Sequence, residues 1–166
     1  MTTNRIDLST PNLNLTFQAQ HTQLRLESFS AGKVNWLHSE EPSGLFGVMI
    51  DGQRYSALNM DFTGWREAPA SPDVRHVIFS FQARRVQVDF HLNLYPDSAL
   101  MECWLVVFNH DPAAIAIQQL SSYSLNLPSM SASLLAFTGD WGSEFSPQPT
   151  PMKDQIVRES RSGRSS

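Results

Sequence analysis

Cysteine is almost missing from this chain. Cys103 is the single one in 166 residues, which excludes an internal disulfide. Its neighbours Trp104, Leu105 and Val106 point to a buried, inert thiol. Charge is sparse as well, at 17% of residues, and the formal net charge of −4 leaves no basic excess to meet a phosphate backbone. Nucleic acid is therefore not expected as a partner, with Arg158, Arg161 and Arg164 a local exception. No apolar run approaches the ~20 residues of a membrane span, so no membrane partner is expected either. The stretch Met1 to Leu15 lacks the basic start and apolar core of a secretory signal. Together these absences lead one to expect a soluble, cytoplasmic protein. The phosphate-binding loop, the dinucleotide glycine fingerprint, a zinc-spaced Cys/His set and the Gly-x-Ser-x-Gly elbow are all missing, and no cofactor or metal is expected. Helical spacing never persists beyond about two turns.

What is present is a strand-forming chain with 41% hydrophobic residues, long enough to bury about two-thirds of its unfolded surface in one core. Leu13 to Phe17 and Leu24 to Leu26 alternate apolar with polar, predicting a hairpin around His21 and Thr22. Trp36 falls in a looser segment. Phe46 to Ile50 reads as a strand, and Asp51-Gly52 suits the positive φ angles of a type I′ turn, so Gln53 to Leu58 should pair back. Val86 to Tyr95 alternates without a break. Val86, Val88, Phe90, Leu92 and Leu94 face one way, and Gln87, Asp89, His91 and Asn93 form a polar row expected to face solvent. Asp89 and His91 lack the further convergent ligands that a metal would need. After a turn at Tyr95 to Ser98, Met101 to Phe108 is apolar on both faces and reads as a strand covered from both sides. Asn109 to Pro112 turns, Ala114 to Leu120 returns, Tyr123 to Leu127 alternates and Leu134 to Phe137 follows. Successive strands with turns every 8–12 residues or so mean an antiparallel sandwich.

Two stretches break that rhythm. Asn59 to Asp73, with Gly64, Pro69 and Pro72, reads as a loop carrying Trp65 and Arg66, residue types that make contacts. Trp65 either serves such a contact or closes one end of the sandwich. The second stretch is Phe137 to Ser166. There Trp141 sits between Gly139 and Gly142, flanked by the carboxylates of Asp140 and Glu144. Rings beside carboxylates are the usual equipment of a sugar site, though Trp141 could equally plug the sandwich edge. Pro147, Pro149 and Pro151 favour an extended polyproline path with few internal hydrogen bonds, and the Ser/Gly/Arg tail ends with no closing strand.

The segments TGDWGSEF (138–145) and ESRSGRSS (159–166) resemble the end of the N-terminal domain of family-36 glycoside hydrolases, the α-galactosidases and their relatives. In that family a Gly-x-Trp-Gly-x-Glu segment leads, through a proline-containing stretch, to Glu-Ser-Arg-x-Gly-x-Ser-Ser. Gly139, Trp141, Gly142 and Glu144 match the first, and Glu159, Ser160, Arg161, Gly163, Ser165 and Ser166 match the second. The resemblance implies an all-β, antiparallel, galactose-mutarotase-like supersandwich over 1–146, with 147–166 leading toward a catalytic barrel beyond Ser166. The family's reaction is retaining hydrolysis of terminal α-galactosyl residues by two barrel aspartates, so no residue here takes a catalytic role. Galactosides would be met through the parent enzyme, with homo-oligomer contacts. The 59–73 stretch falls where the family has a Thr-Asp-Phe-Arg-x-Pro-like segment that reaches toward a neighbouring subunit's sugar pocket. Thr63 and Arg66 match it, Trp65 stands for its Phe and Gly64 for its acidic residue, with one extra residue before Pro69; alternatively, in a shifted register, Asp61 is the acidic partner. The substrate-binding candidates are thus Asp61, Trp65, Arg66 and Trp141. Two other classes stay open. One is a stand-alone carbohydrate-binding or aldose-epimerase-like protein with His91 as its acid–base group. The other is a subunit-assembly module without sugar contact.

Overall fold

Period-two alternation builds nearly all of the computed structural model, which describes residues 4–37, 42–126, 133–138 and 146–151. Among the described residues there are thirteen strands and no helix. The chain divides into two compact units, Met1–Pro128 and Ser129–Ser166.

The first unit begins with a sheet of β1 (Asn4–Ser9), β2 (Leu13–Gln20), β3 (Gln23–Ala31) and β4 (Val34–Asn35), neighbours in that order. Ile6, Leu8, Leu13, Leu15, Phe17, Leu24 and Leu26 are buried, and the residues between them on β1 and β3 are exposed. The expected hairpin turns at His21, whose φ is 55°. β5 (Leu45–Ile50) and β6 (Gln53–Tyr55) form a second hairpin around Asp51 and Gly52, with φ of 49° and 77°, the two positive angles a type I′ turn requires. Pairing stops at Tyr55, earlier than the alternation suggests. Ser56 to Met60 folds into a turn in which the Ser56 N–H donates to Asn59 Oδ1 at 2.7 Å and Asn59 Nδ2 to the Arg54 carbonyl at 2.8 Å.

The next four strands form one meander: β7 (Asp61–Ala68), β8 (Arg75–Ala83), β9 (Val86–Leu94) and β10 (Met101–Asn109), in the order β10-β9-β8-β7. β11 (Ile117–Ser124) returns to β5, giving the order β11-β5-β6. One apolar core joins these sheets. Phe17 of β2 lies 4.7 Å from Phe79 of β8, and Phe46 of β5 lies 5.1 Å from Phe81 and 6.3 Å from Phe90, measured between ring centres. Val77, Phe79, Phe81, Val88, Phe90, Leu92 and Leu94 are essentially inaccessible, each worth about 1.5–3 kcal/mol of burial. The all-β antiparallel sandwich expected from the alternation is the architecture found.

Several local expectations change. Asn59 to Asp73 is a loop only at its ends, because Asp61–Ala68 is a strand paired with β8. Its glycine marks a bulge, with a register shift between Phe62 and Gly64, and its prolines fall just beyond the strand, where a missing N–H costs nothing. Alternation also builds β1 and β8, which complete the two four-stranded sheets. The polar row of β9 does not simply face solvent: Asp89 is 5% exposed, and Gln87, His91 and Asn93 are half-buried. β10 is covered less than its apolar sequence suggests, since it is the last strand of its sheet and Phe108 keeps 40% of its surface.

In the second unit β12 (Ser133–Thr138) pairs antiparallel with β13 (Ser146–Pro151). Pro147, Pro149 and Pro151 therefore lie in a ladder and not on a free polyproline path. Spacing by two places all three opposite Phe137, Leu135 and Ser133, while Ser146, Gln148 and Thr150 keep N–H groups for the alternate pairs. An edge strand can so accept three prolines without losing a bond. Asp140, Trp141, Glu144 and the 159–166 segment lie outside the described residues.

Candidate functional site

Three of the sequence candidates stand on β7, an edge strand, and strand geometry separates them. Trp65 pairs with Phe79 and therefore shares the core-side face of the sheet; Arg66 pairs with Ile78 and points to the opposite face. A loop could have turned both side chains to one ligand, but adjacent residues of a strand cannot. Asp61 pairs with Gln82, on the same face as Arg66 but four ladder positions away, about 13 Å. Both Asp61 and Arg66 are exposed. Trp141 lies outside the described residues, and its relation to these three is not defined.

Trp65 is on the core side yet keeps 44% of its surface. The cause is local. Gly64 has φ of 151°, a backbone angle reserved for glycine, and the bulge there twists the edge outward. A cleft of ≈ 270 Å³ opens beside the indole, lined also by Asn4, Ile6, His21, Phe62 and Gly64. The Thr63 hydroxyl donates to the Ser80 carbonyl at 3.1 Å, pinning the bulge to its neighbour strand.

On the other face Arg66 adjoins a cluster in which alternation singles out only His91. Trp104 lies directly opposite His91 across β9 and β10, and His76 is the diagonal neighbour from β8, opposite Asn93. His91 stacks on Trp104 at 4.7 Å and 24°, with His76 5.2 Å from the same indole. His76 Nε2 and His91 Nδ1 are 2.9 Å apart, so one N–H donates to the other ring's bare nitrogen. Burial pushes both imidazoles below the ordinary value. The Arg66 charge adds to this at His76, and His76 and Arg66 add to it at His91, partly offset by Asp89. Asp89 accepts from Gln87 Nε2 at 2.9 Å. At the margin, Glu102 accepts from the Tyr95 hydroxyl at 2.5 Å and Asn93 Nδ2 at 3.2 Å. These bonds, the hydroxyl's first, hold its carboxyl below the usual range.

Register is the signal that finds His76 and Trp104. Once β8 and β9 are joined by the two residues Arg84 and Arg85, every cross-strand partner is fixed. Chemically the cluster is a neutral aromatic platform bordered by a guanidinium and a carboxylate. The two imidazoles touch, leaving no space between them for a sugar ring, so they do not form the separated acid and base of an epimerase. Among the described residues no group of three or more His, Cys, Asp or Glu side chains is placed to hold a metal ion. No helix among them is long and apolar enough to cross a membrane.

Comparison with known proteins adds one finding. Neither the curated proteins nor the solved structures gave a match. The family model described as the glycosyl hydrolase family 36 N-terminal domain matches residues 3–166, essentially the full sequence and both units of the structure. The chain belongs to the family of glycosyl hydrolase family 36 N-terminal domains.

Proposed function

We propose that this chain is the accessory domain of an α-galactosidase that removes terminal α-galactosyl residues from oligosaccharides. Hydrolysis is the work of a barrel elsewhere in the parent enzyme. This domain contributes to subunit assembly and to the rim of a sugar site. The observation that carries the reading is Trp65: a large ring, 44% exposed, on a bulged edge strand beside an open cleft. A residue selected only for packing would be driven inward, and edge strands are normally blunted by charge and not decorated with an indole. Exposed Arg66 and Asp61 supply hydrogen-bonding groups on the other flank of the same edge. Trp141, in the segment with carboxylates on either side, is read as a substrate-binding residue by itself, from its motif and neighbours. The parent is taken to be a cytoplasmic homo-oligomer, consistent with a single cysteine and a net charge of −4.

The test is Trp65→Ala and Arg66→Ala in the barrel-containing parent. A raised KM for nitrophenyl α-galactoside, or weaker assembly in light scattering, is expected from either substitution. Unchanged KM and unchanged assembly in both variants would leave the edge of β7 without the proposed role.

A further inference from the structure

We propose that the cleft between the β5–β6 turn and the β8–β9 turn binds a phosphate group, either free or carried by a sugar-sized molecule. The cleft has a volume of ≈ 390 Å³, within the roughly 300–1,000 Å³ of small-molecule sites. It lies beyond the end of β8, whereas Trp65 pairs with Phe79 at the middle of that strand, and it owes nothing to the reading above.

Turn chemistry is the first argument. Ala83 pairs with Val86, so Arg84 and Arg85 are the two central residues of a tight hairpin turn. Arg84 has φ of 55° and is the member of that turn with a positive angle. That first central position of a two-residue hairpin belongs by preference to glycine. An arginine there costs the fold stability, and such local conflicts collect where a side chain is needed for binding. The same structure obeys turn chemistry at Asp51-Gly52, on the opposite wall of the cleft.

The second argument is a guanidinium with no carboxylate partner. Both arginines line the cleft, as do Asp51 and Asp111. Asp111 is engaged by Arg85 Nη1 at 3.1 Å and by the Ala113 N–H at 3.0 Å, and Asp51 accepts from the Ala116 N–H at 2.9 Å. Among the described residues the ion pairs are Arg5–Asp7, Arg75–Glu67 and Arg85–Asp111. Arg84 belongs to none of them. One guanidinium is thus uncommitted, and Arg85 has further N–H donors beyond the one given to Asp111. Two planar forks at one cleft match a tetrahedral oxyanion with acceptors on several sides better than a carboxylate with one bidentate edge. Gln53 and the ring of Tyr55 complete the lining with groups suited to a carried sugar.

The experiment is calorimetric titration of the 166-residue chain at constant ionic strength with inorganic phosphate, glucose 6-phosphate and neutral glucose. Saturable binding of phosphate is expected, weakened about 10-fold to 100-fold in Arg84→Gly and in Arg85→Gln, the loss anticipated for one charge-assisted contact. Arg84→Gly relieves the positive φ, so its melting temperature should match or exceed the native one, and lost binding there is not lost folding. Glucose 6-phosphate binding more tightly than phosphate assigns the cleft to a carried group, and equal binding to free phosphate. Phosphate binding that is absent, or the same in native and Arg84→Gly chains, overturns the proposal, as does glucose binding as tightly as its phosphate.

Discussion

Replacing Trp65 by alanine separates a residue that packs from one that packs and reaches out. With 44% of its surface in water, the indole residue removes 56% of roughly 250 Å², or about 140 Å², from solvent. An alanine at the same edge position would keep about a third of that burial, so some 90 Å² depends on the ring. At about 25 cal/mol per Å² this is near 2.3 kcal/mol, and a compact unfolded state reduces it to about 1.5–2 kcal/mol. A ring buried as completely as Phe79 would cost about 3–5 kcal/mol, so the two roles are distinguishable by size. For a chain of this length the expected drop in melting temperature is about 3–8 °C. The assay is a thermal melt of the native and Trp65→Ala chains, set beside KM and assembly of the same variant in the barrel-containing parent. A loss above about 3 kcal/mol with normal KM and assembly would refute the reasoning and make Trp65 a closing plug of the sandwich.

Other outcomes follow from the same structure. His76 and His91 are held neutral in the fold, with 6.5 as their ordinary value. Below that value the unfolded chain takes up protons that the folded one resists, so stability should fall as pH drops below about 7, level off below the folded values, and be flat above 7. The slope should shrink in the His76→Gln, His91→Gln double variant; an unchanged slope means that the pair does not control it. Glu102 and Asp7 are held below their ordinary range and lose their contribution as pH falls below their ordinary values. Gly64→Ala meets no neighbouring atom, so its cost is the backbone angle alone, on the order of 1–3 kcal/mol by chemical denaturation; a neutral result would mean that the bulge relaxes freely. Burial, with a smaller push from Glu102, raises the Cys103 thiol to about 12, so a disulfide reagent at pH 8 should react only as fast as the chain opens, and prompt labelling in native buffer would contradict that protection.

The sandwich was legible because one face of most strands had to be apolar, and a one-residue slip would have exposed the whole set. β2, β3, β5 and β9 stand out for that reason, and Asp51-Gly52 for its two positive angles. Strand β7 was not legible. Trp65 carries its core-facing identity while 44% exposed, Gly64 interrupts the period, and two prolines close behind imitate a loop. Coverage of β10 is not legible because apolar sequence reports what a strand tolerates, whereas burial depends on what lies beyond it in the sheet.

The polar row of β9 shows where single-strand reasoning stops. Alternation correctly puts Gln87, Asp89, His91 and Asn93 on the face away from the core. It cannot say what stands on the two neighbouring strands, and that decides their chemistry. His76 and Trp104 turn a solvent row into a stacked, partly desolvated cluster, and Arg66 reaches it from a strand that resembled a loop. Trp65 and Arg66 therefore mark two faces of one edge. Any partner that uses both must straddle β7 and meet the open cleft on one flank and the histidine–tryptophan platform on the other. A ligand confined to one face would feel only one of the two substitutions, so the pattern of loss in Trp65→Ala and Arg66→Ala reports which flank is used. Losses from both would identify an edge-on contact.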